Sequence, residues 1–170
     1  MKVILKMSDL LVSPAIITEF FRIGLVSRTI SIDAIDVWAT NTIAEESSPS
    51  IELCDLASAK HTDRAVVIDA LRSYKRTDDD LDLAWAMYCE FIYDSLKSSR
   101  LSLKDAVYAL YDLDKIHELP EFISMPISII EDDYCLARDQ VFGTFEEVEV
   151  KFLRLLESFF DEETPKYLIG

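Results

Sequence analysis

Glycine is nearly missing from this chain. There are three among 170 residues, with five prolines and three cysteines. An all-β domain needs turn residues every eight to twelve positions or so, and this sequence does not supply them. Gly24, Gly143 and Gly170 stand alone. That excludes a phosphate-cradling loop and a dinucleotide-binding turn, both of which need several glycines within a few positions. Cys54, Cys89 and Cys135 are odd in number, widely spaced and set in apolar-patterned segments. They are expected as buried free thiols in a reducing compartment. Neither they nor His61 and His117 show the ligand spacing of a structural zinc site. A Gly-x-Ser-x-Gly nucleophile turn is absent too, and Glu90 next to Cys89 would raise that thiol's pKa instead of activating it. No apolar run approaches the ~20 residues a membrane span needs. Met1 to Val12 is apolar but broken by Lys6 and Asp9, with no small-residue cleavage site, which makes a poor signal peptide. A cytoplasmic protein without membrane contact is the expectation.

Positive charge is also scarce. The chain has 17 Lys and Arg against 32 Asp and Glu, a formal net charge of −15. Most of the imbalance is late: residues 105–170 carry 16 acids against 5 bases, residues 1–104 carry 16 against 12. Such a surface repels nucleic acid and anionic membranes and attracts a basic partner. The one basic cluster, Arg72, Lys75 and Arg76, is followed at once by Asp78, Asp79, Asp80 and Asp82. These opposing charges are expected to satisfy one another or to cap adjacent helices, leaving no basic footprint for nucleic acid.

What is plentiful is apolar residues, half the chain, in helical periodicity. At this length one domain with a substantial core is expected. Ser13-Pro14 is a cap followed by proline at the first helical position, with Ile16, Ile17, Phe20, Phe21 and Leu25 behind it and a stop near Gly24. Ser31 opens a second helix with Ile32, Ile35, Trp38 and Ala39 inward and Asp33 and Asp36 outward. Ser48-Pro49 repeats the cap-then-proline device, and Thr62-Asp63 starts a fourth helix. Leu81, Ala84, Trp85, Tyr88, Phe91, Ile92 and Leu96 make the clearest apolar stripe, expected at the centre of the fold. Ser102 with Asp105, and Thr144 with Glu147, mark capping boxes, and Glu147 is spaced to pair with Lys151. Pro120 and Pro126 are expected to break the chain into short pieces, with a strand possible at Ile127 to Ile130. Ile30-Ser31-Ile32 and Leu101-Ser102-Leu103 look alike, which shared capping chemistry explains better than a repeat. The whole predicts an all-α, single-domain bundle of about seven or eight helices over residues 1–170, with 161–170 a polar tail.

Candidate chemistry is thin. Asp114 and His117 lie on adjacent helical turns, but two ligands do not make a metal site, and no second such pair exists. Acid groups able in principle to hold magnesium are Asp79 with Asp82, Glu90 with Asp94, and Glu131 with Asp132 and Asp133. The all-helical nucleotide pyrophosphohydrolases use Glu-x-x-Glu pairs, whereas here that spacing at Glu118 and Glu121 is interrupted by Pro120. No cofactor or metal is expected. The remaining feature is a run of acids, Glu118, Glu121, Glu131, Asp132, Asp133 and Asp139, within 22 positions, with Tyr134 among them. Aromatic anchors among acids are a recurring composition of protein interfaces, so these seven are the candidate partner-binding residues.

Size, acidity and helical build, with Ile35-Asp36-Val37-Trp38-Ala39, Ile51-Glu52-Leu53-Cys54-Asp55-Leu56 and Glu131-Asp132-Asp133-Tyr134, resemble small bacterial immunity proteins. The resemblance implies a non-enzymatic acidic inhibitor covering the basic active site of a toxin, often a nuclease. The alternatives are a magnesium-dependent helical nucleotide hydrolase and a regulatory or scaffold helical domain.

Overall fold

The computed structural model describes residues 13–58 and 62–160. The expected tail at 161–170, the segment before Ser13 and His61 lie outside them. Among the described residues the chain is all-α: α1 Pro14–Val26, α2 Ile32–Glu45, α3 Ile51–Leu56, α4 Arg64–Arg72, α5 Asp78–Lys97, α6 Leu103–Lys115, α7 Glu121–Arg138 and α8 Phe145–Phe160. The chain divides into two compact units, Met1–Ala84 and Trp85–Gly170, with α5 beginning in the first and ending in the second. In the first, α1 packs on α4 and α3 lies against α2 and α4; in the second, α7 packs on both α6 and α8.

Apart from α7, whose N-cap is Pro120, the helices start where side-chain oxygens can satisfy the orphan amides of a first turn. Ser13 accepts from Ile16 N, Ser31 from Ala34 N, and Ser102 from Asp105 N. Thr144 and Glu147 form the full reciprocal box, at 3.0 and 3.2 Å. Two starts differ from expectation by one or two residues. Ser50 caps α3, where Ser48 was expected, and Asp63 caps α4 directly.

Where the helices end, the shortage of glycine shows. Four helix ends use a left-handed residue that is not glycine: Arg28, Ser99, His117 and Gln140, with φ between 57° and 64°. The turns after Arg28 and Ser99 are the same device. The two amides after the left-handed residue donate to one carbonyl, Gly24 O in the first turn and Ser95 O in the second, and a serine cap follows at once. This accounts for the likeness of the segments around Ser31 and Ser102 as capping chemistry. Gly24 does not end α1. It sits within the helix, and a Cβ there would come within 2.3 Å of the Ile30 side chain, which folds back over it.

Proline at 126 does not break the chain either. α7 runs through it as one helix, so the expected short pieces, and the strand at Ile127 to Ile130, are replaced by a single element. Pro126 lies past the first turn, so it forgoes the bond to the Phe122 carbonyl and its ring crowds that oxygen, a cost the packing of the helix must offset. Ile123, Ile127, Ile130, Tyr134 and Ala137 give the helix a buried face that holds it continuous. Of the stripe expected on α5, Ala84, Trp85, Tyr88, Ile92 and Leu96 are buried, while Leu81 and Phe91 are only half-buried.

Candidate functional site: the outer face of helix α7

The acids singled out from the sequence separate once α7 is formed. At about 100° per residue, Glu121, Asp132 and Asp139 fall on one line along the helix, roughly three and five turns apart. All three are exposed. Asp139 is held by Arg138 through two bonds of 2.8 and 3.0 Å, which keep its carboxyl below the usual range. Glu121 and Asp132 have no ion-pair partner among the described residues.

The other candidates point elsewhere. Asp133 accepts an ion pair from Lys151 of α8 at 2.8 Å, a bond that raises the Lys151 pKa. Lys151 was expected to pair with Glu147, but that carboxylate is committed to the Thr144 amide. Glu131 accepts from the Cys135 thiol at 3.1 Å and raises its pKa. Glu118 is half-buried in the turn before α7, with its amide bonded to Leu113 O. Tyr134 is a correction. It is only 6% exposed, its ring packed against Tyr108 and Phe145, so it belongs to the core and offers no anchor to a partner.

What the sequence analysis missed lies beside the acids. Phe122, Met125, Ile129 and Leu136 are 45%, 72%, 57% and 38% exposed. They form a second apolar stripe, about 130° round α7 from the buried one and beside the line of Glu121, Asp132 and Asp139. The i, i+3, i+7 spacing is in the sequence, but the inward stripe has the same period, and periodicity alone cannot say which one faces water. At the α7–α8 corner the apolar surface continues in Val141 and Phe142, both at least 70% exposed. An open cavity of about 510 Å³ adjoins that corner, lined by Asp133, Phe142, Gly143, Glu146, Glu147 and Lys151, among others.

The remaining candidates for chemistry resolve into structural roles. Asp114 accepts from the Ser124 hydroxyl, and His117 is an exposed left-handed residue at the end of α6. Among the described residues no three His, Cys, Asp or Glu side chains gather so as to hold a metal ion. Cys89 is buried and its thiol is pushed far up by desolvation, whereas Cys54 is exposed and not buried as expected. Arg76 is drawn to Glu19 of α1, 2.9 Å away, instead of to the aspartates that follow it. Asp80 of that run is occupied by the amide and hydroxyl of Thr77. None of the described helices is long and apolar enough to cross a membrane. No protein-family model, curated protein or solved structure matches the chain.

Proposed function

We propose that this is a non-enzymatic acidic protein-binding domain that covers a basic surface of its partner, in the manner of an immunity protein blocking the active site of a nuclease-type toxin. The observation that carries the proposal is the line of exposed carboxylates on α7, two of which have no ion-pair partner among the described residues. An unneutralised carboxylate keeps its full field in solvent, so it steers a cationic partner and can pair with it on contact. Inhibition would then be steric and electrostatic. The carboxylates meet Lys and Arg side chains that would otherwise hold a polyanionic substrate, and the bulk of the domain excludes that substrate. The cytoplasm, where such a protein would guard its own host, is the proposed location.

The test is capture of partners from host lysate on the tagged chain, with elution by rising salt, followed by association kinetics with the purified partner. A basic protein released by salt is the expected capture. Glu121→Lys with Asp132→Lys should slow association on the order of tenfold at low salt, with the difference shrinking at high salt. This pair of changes leaves the Asp133–Lys151 bond intact. Changing Asp132 and Asp133 together should give a similar loss while also breaking that bond. An association rate untouched by either variant at low salt would place the interface elsewhere, and a captured partner of acidic character would end the electrostatic proposal.

A further inference from the structure

Helix α7 has two apolar faces, and the fold covers one of them. The inward face is Ile123, Ile127, Ile130, Tyr134 and Ala137; the outward stripe is Phe122, Met125, Ile129 and Leu136. An exposed apolar strip rimmed by polar groups marks an interaction surface, whereas single exposed apolar residues do not. In the first unit the exposed large apolar residues Val37, Ile51, Val66 and Leu83 fall on four different helices and form no stripe. Phe122 is partly engaged by the Phe159 ring, 5.9 Å away, which leaves Met125, Ile129 and Leu136 as the open part.

We propose that this stripe docks an amphipathic helix of a partner protein whose apolar face is flanked by Lys and Arg. The proposal rests on the acidic-face reading above and specifies the partner's chemistry. Its apolar side chains would seat against Met125, Ile129 and Leu136, and its cations would reach Glu121 and Asp132. Phe122 to Leu136 spans about 21 Å of helix, enough to pack against about four turns of a partner helix. Charge complementarity selects this occupant. A second copy of the chain would bring a net charge of −15 against the same acids. An anionic membrane would be repelled by them. A purely basic surface would leave the stripe in water, while a purely apolar one would leave Glu121 and Asp132 facing nothing cationic. Met125 suits the role, because an unbranched thioether adapts to irregular partner side chains.

The experiment uses the full chain and two synthetic peptides of one composition. One places leucines at i, i+3, i+4 and i+7 between lysines, and the other reorders the same residues so that no apolar face forms. Binding is read by fluorescence anisotropy at low and high salt. The amphipathic peptide should bind at least tenfold tighter than its isomer at both salt levels. Met125→Glu with Ile129→Glu should remove that preference, and Glu121→Lys with Asp132→Lys should flatten the salt dependence. Thermal melts confirm that the variants fold; if Ile129→Glu lowers the melting temperature, Met125→Glu alone carries the test. Equal affinity for the two peptides overturns the docking stripe and leaves the acidic-face reading standing. Absence of salt-dependent binding by either peptide overturns both. Self-association abolished by Ile129→Glu overturns the proposal in favour of a second copy as the occupant.

Discussion

The two compact units handle charge in opposite ways. In the first, charge goes inside. Among the described residues every buried charged side chain, Glu19, Arg22 and Asp36, belongs to it. Glu19 grips Arg22 through a fork of 2.7 and 2.9 Å and lies 2.9 Å from Arg76, whose Nε approaches without the alignment of a hydrogen bond. Burial pulls the Arg76 guanidinium below its usual range, and Glu19 opposes that shift. In the second unit the charged groups stay at the surface, and apolar side chains are left outside with them. Burying an ion pair costs so much desolvation that it adds little net stability. Leaving carboxylates and an apolar stripe in water does nothing for the fold, and it is these groups that the partner proposed above would use.

The largest test of this contrast is Glu19→Ala. It leaves the buried guanidinium of Arg22, and the largely covered one of Arg76, without that carboxylate and should cost about 3 kcal/mol or more in urea unfolding. Replacing Glu19, Arg22 and Arg76 together by Leu and Met should cost markedly less than that single change, because neither guanidinium is then left without its carboxylate. If the triple replacement were the worse of the two, the network would be a source of net stability and the contrast would weaken.

A middle-sized effect compares the same backbone device in both units. Arg28→Gly and Gln140→Gly each relieve a left-handed residue, and each should stabilise by about 1 kcal/mol, less the entropy glycine adds to the unfolded chain. Arg28→Gly should gain more. Arg28 repels Arg64, whose pKa is lowered first by desolvation and then by that charge, and the substitution removes the repulsion as well. Denaturation midpoints of the two variants measure the difference.

The smallest effect concerns Glu90 of α5, the partly buried carboxylate of the second unit. Desolvation first, and Asp94 second, raise its pKa in the folded state. A raised carboxylate pKa means that folding favours the protonated form. That contribution is fully present below the unfolded pKa of about 4.3 and is lost as pH rises through the folded value. Glu90→Gln should therefore raise the melting temperature slightly at neutral pH, with the gain vanishing near pH 3. A gain that persisted in acid would trace it to packing instead of charge.

Much of the local structure was legible because it rests on near neighbours. The caps at Ser13, Ser31, Ser102 and Thr144 need only an oxygen three residues before an amide, and the stripe from Leu81 to Leu96 needs only its period. What failed depended on distant residues. Asp36 was placed outward with Asp33, yet it is buried. Lys151 left its helical neighbour for Asp133 on another helix. Pro126 was tolerated because α6 and α8 hold α7 on its buried side. The acid run likewise looked like one cluster, and the fold divided it among a surface line, a thiol contact and an ion pair, left Glu118 in the turn before α7, and took Tyr134 into the core.

By itself the sequence determined an all-helical fold, most of its helix starts and a net negative charge, because capping and periodicity are properties of residues within a few turns of one another and net charge is a sum that no fold alters. Only the tertiary structure decided which of the two apolar faces of α7 stays in water, which carboxylates keep their field and which arginines Glu19 would draw inside. Those outcomes depend on which helices come together, and burial and ion pairing follow from what lies across the gap between them.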